Sequence, residues 1–253
     1  MKFYDYTKAE RAKIVAQIKS NILADLMSNN WTTIKSYFSD KDTYIRKSAY
    51  QATGKIWREQ EKLKKAIISM LEFFLTEQDS KIRQTSINAA GEIGMQEFEC
   101  VEYFFDQGLF DPDHTVRNAV IGSIKKMGEK NSKRVLEWAK KYLNHPDKEI
   151  RREICHGIEL RGRTHPQDIL PLLQELQHDK TSRVRKTLIH VLGQIAYKKG
   201  CLATVISHLK NWENKELIDK ALEEIIDVHE RYKNFTPLSK DQAEDYIFRH
   251  IQK

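Results

Sequence analysis

Three cysteines, Cys100, Cys155 and Cys201, are too few, too far apart and odd in number for a disulfide framework. No C-x-x-C pair occurs, which excludes a zinc ribbon, and the thiols read as small core residues of a reducing compartment. Long apolar runs are missing too: no stretch approaches the ~18 uncharged apolar residues that a membrane span requires. The opening Met1-Lys-Phe-Tyr-Asp-Tyr holds no apolar core of signal-peptide length, so a cytoplasmic location is expected. There is no Gly-rich phosphate loop, no nucleophile elbow and no carboxylate pair of defined spacing. Nine histidines are present, but His145, His156 and His165 stand 11 and 9 residues apart, and no H-E-x-x-H or paired Cys/His spacing occurs. His156 and His190 accordingly read as polar residues on a helix face. These patterns predict no catalytic residue, no cofactor and no metal ligand, and nothing in them identifies an enzyme.

What the chain does have is repetition. Five motifs read Asp42-Thr-Tyr-Ile45-Arg46, Asp79-Ser-Lys-Ile82-Arg83, Asp113-His-Thr-Val116-Arg117, Asp147-Lys-Glu-Ile150-Arg151 and, one residue longer, Asp179-Lys-Thr-Ser-Arg-Val184-Arg185. Their arginines are 37, 34, 34 and 34 residues apart, and a degenerate sixth copy, Asn214-Lys-Glu-Leu217-Ile218, follows. A fixed period of this length marks an array of helical repeats, in which each unit buries its apolar face by stacking on its neighbours. Each repeat predicts two helices. The first carries apolar residues at helical spacing, as in Ile67, Met70, Leu71, Phe74 or Ile169, Leu172, Leu173, Leu176. The second begins after the motif aspartate, which caps free backbone N–H groups at the positive end of the helix dipole. Gly54, Gly91 and Gly193 each fall eight residues after a motif arginine, inside that second helix. Glycine there costs ~1 kcal/mol, so its recurrence predicts close approach of neighbouring helices. A helix from about Thr7 to Met27 opens the chain, and one from about Lys240, capped by Ser239 with Gln242, closes it.

The formal charge of +7 is unevenly spread. Residues 41–65 carry a net +5, residues 77–113 a net −7, residues 131–210 a net +8, and the tail from Asn211 onward a net −3. A basic region of that strength attracts polyanions through its summed field, although a solvated helix surface looks the same residue by residue.

The motif Asp-x-x-[Ile/Val]-Arg, an apolar helix and then Gly-x-Ile resembles a HEAT repeat, most clearly in IRQTSINAAGEIG (82–94) and VRKTLIHVLGQIA (184–196). A tetratricopeptide array is rejected because its Trp/Leu-Gly/Tyr and Ala/Phe/Pro positions do not recur. The resemblance implies an all-α, right-handed α-solenoid of about six HEAT-like hairpins: an N-terminal cap over 1–30, repeats over 31–230 and a C-terminal cap over 231–253. In such stacks the Asp and Arg positions form a hydrogen-bonded ladder, here Asp42, Arg46, Asp79, Arg83, Asp113, Arg117, Asp147, Arg151 and Arg185.

A second, narrower resemblance covers residues 138–212. Trp138, His145-Pro146-Asp147-Lys-Glu-Ile150-Arg151-Arg152, then Gly157 and Arg161-Gly-Arg163 are similar to a segment of the HEAT-like DNA alkylation repair family, the alkylpurine DNA glycosylases and their relatives. Cys155-His156 departs from that family's Ser-Glu, Gly162 from its proline, and Pro166 from its tryptophan. The resemblance implies a concave basic surface gripping DNA. Some relatives excise cationic alkylated bases with tryptophans and a carboxylate, a constellation with no counterpart around Trp31, Trp57, Trp138 or Trp212. If the chain were an enzyme, a glycosylase-like activity on alkylated bases is the kind the resemblance implies.

The basic residues outside the ladder are the candidate phosphate contacts: Arg152, Arg161, Arg163, Arg183 and Lys186, with Lys47 and Arg58 toward the N-terminus. The sequence thus predicts a monomeric, non-catalytic binding protein whose partner is DNA or, alternatively, another protein.

Overall fold

The computed structural model describes residues 2–251, so Met1 and the last two residues of the expected C-terminal cap, Gln252 and Lys253, lie outside the described residues. All regular secondary structure among the described residues is helical. The chain clusters into two compact units, residues 1–131 and 132–253.

In the first unit α1 (Lys8–Ser28) precedes three hairpins. These are α2 (Thr32–Phe38) with α3 (Thr43–Glu59), α4 (Lys64–Leu75) with α5 (Ser80–Gly94), and α6 (Glu102–Gly108) with α7 (His114–Lys130). In the second unit α8 (Ser132–Leu143) turns into α9 (Lys148–Gly157) and the single turn α10 (Glu159–Gly162). Next come α11 (Pro166–Gln174) with α12 (Ser182–Ala196), α13 (Cys201–Leu209) with α14 (Lys215–Arg231), and the closing α15 (Lys240–Ile251). Second helices stack on second helices: α1 on α3, α3 on α5 and α5 on α7 in one unit, α9 on α12 and α12 on α14 in the other.

The apolar stripes read from the sequence are buried where those layers meet. Ile34, Phe38, Ile67, Leu71 and Phe74 are fully buried in the first unit, as are Ile169, Leu173, Val205 and Leu209 in the second. Each such side chain contributes about 1.5–3 kcal/mol, available only when a neighbouring hairpin covers it. Trp57, Trp138 and Trp212 are buried in these layers, while Trp31 is half-buried against Phe73 and Phe74. One cysteine departs from the core reading: Cys155 and Cys201 are buried, but Cys100 is exposed on the turn Phe98–Cys100.

The motif residues explain the hairpin turns. Asp42, Asp79, Asp113 and Asp147 each cap a second helix, accepting from the N–H two residues on at 2.8–2.9 Å. In the longer fifth copy the cap position falls to Thr181, whose side chain makes no capping bond. Asp179 stands two residues earlier and accepts from the Thr181 N–H at 2.8 Å, as Asp111 accepts from the Asp113 N–H.

All five motif arginines reach back to the carbonyl six residues before them. Arg46, Arg83, Arg117, Arg151 and Arg185 bond the carbonyls of Asp40, Glu77, Asp111, His145 and Asp179 at 2.5–2.8 Å. Each guanidinium therefore ties its second helix to the end of the first. Arg83 also crosses to Asp111 of the next hairpin, and Arg151 to Asp179. Those acceptors are not motif cap residues: they occupy the position two before the cap, a distinction that spacing alone does not make.

The recurrent glycines sit where second helices touch. A Cβ on Gly54 would stand 2.5 Å from Glu92 Cβ, one on Gly91 2.5 Å from Ser123 Oγ, and one on Gly193 2.8 Å from Glu224 Cγ. At the chain ends, α1 starts in a capping box of Thr7 and Glu10, and α15 in one of Ser239 and Gln242.

Candidate nucleic-acid interface

Neighbouring second helices carry equivalent residues one period apart, so a side chain on α9 meets the one 34 positions later on α12. Arg152 and Lys186 are one such pair, and His156 and His190 another. Together with Arg183 and Thr187 these four line an open recess of about 330 Å³ on the second unit.

The electrostatics of that recess are graded. Arg152 is only 22% exposed and is held by Glu149 at 2.9 Å and Glu153 at 3.4 Å. Arg183 is 65% exposed and touches the other oxygen of Glu149 at 3.3 Å. Lys186 is exposed, and Thr187 donates its hydroxyl to the Arg183 carbonyl at 3.1 Å. Arg183 and Lys186 are thus free to turn toward an anion, whereas Arg152 is a fixed positive charge behind them. Flexible outer cations and one oriented guanidinium can follow a phosphate backbone without reading bases.

Arg161 and Arg163 lie elsewhere. Arg161 forks onto Asp168 at 2.7 and 2.9 Å, tying α10 to α11. Arg163 bonds the buried Glu159 and, at 2.8 Å, the side-chain oxygen of buried Gln194. Both guanidinium groups are spent on carboxylates of their own unit. Lys47 and Arg58 are exposed on α3 of the first unit. The first unit has a basic recess of its own between α1 and α3, where Lys8, Arg11, Lys19 and Lys55 stand.

The sequence reading missed His156, Thr187 and His190 as lining residues. A signal was present: 152 and 186, 156 and 190, and 190 and 224 are each separated by the period. Glu224 indeed meets His190, its carboxylate 3.7 Å from Nδ1.

The HEAT-repeat family model matches residues 135–225, the hairpins that carry this recess. HEAT repeats are thus shown over residues 135–225. The helical hairpins of the chain are similar in fold to AlkD2 from Streptococcus mutans, with a TM-score of 0.55 and 16% identity over 88% of this chain and 100% of that one. They are similar also to smu.31 from Streptococcus mutans UA159, with a TM-score of 0.55 and 17% identity over 74% of this chain and 97% of that one. At such identities the likeness is one of fold alone. No curated protein matches the sequence.

Proposed function

We propose that the chain is a non-catalytic DNA-binding HEAT protein that grips the phosphate backbone through the recess between α9 and α12. The observation that carries this reading is the convergence of Arg152, Arg183 and Lys186 on one open face, with His156 and His190 beside them. The net +8 of residues 131–210 supplies the wider attractive field. The resemblance of the motif residues within 138–212 to the alkylation-repair family points the same way. Lys47 and Arg58 are further candidate contacts, on the first unit.

The test is retention of duplex DNA across a salt series. Binding through a few phosphate contacts weakens steeply with salt, with a log–log slope of about −0.9 per contact. Absence of salt-sensitive retention at low ionic strength overturns the reading.

A protein-interaction scaffold is the second reading. The observation favouring it is the pair of exposed aromatics Tyr103 and Phe110 within the acidic stretch 77–113. A partner that survives nuclease treatment, captured by a chain that retains no DNA, would replace the first reading with this one.

A further inference from the structure

The recess holds a second kind of chemistry, independent of its arginines. His156 on α9, Glu159 on α10 and His190 on α12 each offer one possible ligand atom, and these three atoms lie within 4.8 Å of one another. We propose that His156, Glu159 and His190 form a divalent metal site, with Zn²⁺ the ion that fits this donor set best.

Two imidazoles and one carboxylate are a ligand set that zinc accepts in tetrahedral geometry, the fourth position being left to water or an incoming oxygen. Bonds of about 2.0–2.2 Å place ligand atoms roughly 3.3 Å apart around such an ion. His156 Nδ1 already lies 2.9 Å from Glu159 Oε2. The remaining closure falls to the imidazoles, whose side chains are 34% and 45% exposed. Glu159 is the fixed member: it is 1% exposed, and Arg163 holds its other oxygen.

Supporting contacts are in place behind the donors. Glu224 stands beside His190, its carboxylate 3.7 Å from Nδ1, and a carboxylate behind an imidazole strengthens it as a ligand. Gln194 orients Arg163, and Arg163 in turn orients Glu159. Neighbouring charges do not forbid a cation. Arg152, Arg163, Arg183 and Arg231 are each paired with at least one of the carboxylates Glu149, Glu153, Glu159 and Glu224.

The experiment is calorimetric titration of the full chain with Zn²⁺ in the absence of nucleic acid, paired with thermal unfolding with and without the ion. One equivalent is expected to bind, to raise Tm, and to be removed by a chelator, because an ion bound only by the folded state stabilises it. His156→Ala and His190→Ala should each weaken binding at least ~10-fold and abolish the rise of Tm on adding the ion, each variant being compared with itself without metal. His178→Ala and Cys100→Ser, at exposed groups elsewhere, should change nothing. Lack of saturable binding overturns the proposal, and so does undiminished binding in the His156→Ala/His190→Ala double variant. Because no DNA is present, the outcome stands apart from that of the DNA-retention test.

Discussion

Arg151 forks onto the carboxylate of Asp179, with Nε–Oδ2 at 2.5 Å and Nη2–Oδ1 at 3.1 Å, across two consecutive hairpins of the second unit. The same guanidinium bonds the carbonyls of His145 and Pro146 at 2.6 and 2.9 Å. One side chain therefore closes its own hairpin and ties it to the next. Both partners are enclosed, at 14% and 4% exposure. Arg151→Ala should lower unfolding stability by about 3 kcal/mol, since it strands a carboxylate away from water. Urea denaturation with an unchanged slope and a lower midpoint is the expected result.

Arg161 and Arg183 should separate stability from binding. Arg161 is committed to Asp168, so Arg161→Ala is expected to lower Tm and leave DNA affinity intact. Arg183 is mostly exposed, so Arg183→Ala should leave Tm unchanged and reduce the salt slope of DNA binding by about 1. Loss of affinity in the first variant and not the second would reverse these assignments.

The glycine at the α5–α7 contact gives a packing prediction. Adding a methyl group at Gly91 brings a Cβ to 2.8 Å from Ser123 Cβ, which helix backbones on both sides oppose. Gly91→Ala should destabilise by about 1–3 kcal/mol even though alanine is the better helix former. Ser123→Gly in the same chain should restore part of the loss, as a double-mutant cycle will show.

Acid should loosen the hairpin turns before it reaches the core. The Ser80 hydroxyl, and after it the Thr115 N–H and hydroxyl, hold the Asp113 carboxyl down to about 2 from its ordinary 3.8. A folded value below the unfolded one means stability that is complete above pH ~4 and lost as pH falls toward ~2. Asp113→Asn should therefore melt below the parent at neutral pH, and the gap should close at about pH 2. A gap that is constant over this range would show that the charge of Asp113 contributes nothing to the turn.

Much of this was legible in the residues themselves. The interval between motif arginines gave the helical hairpin, the aspartates gave its turns, and Gly54, Gly91 and Gly193 gave the helix contacts. These are local or strictly periodic properties, so they survive being read along a line. Asp179 shows where that fails. It looked like the cap of a lengthened fifth motif, yet it is the cross-hairpin acceptor, because an N-cap is defined by backbone geometry and not by the nearest acidic residue.

The site was only half legible for a related reason. Composition marked residues 131–210 as basic, but it could not show that Asp168 neutralises Arg161 and Glu159 neutralises Arg163. Nor did the usual metal-ligand spacings bring His156 together with His190, because those spacings describe one helix or one loop. In a stack of hairpins the neighbour across the groove is a whole period away. The sequence by itself determined the repeating unit and its turns, since helix periodicity and capping act within a few residues. Only the tertiary structure decided which charges are spent and which face outward, since pairing depends on distances between helices that the chain's order does not encode locally.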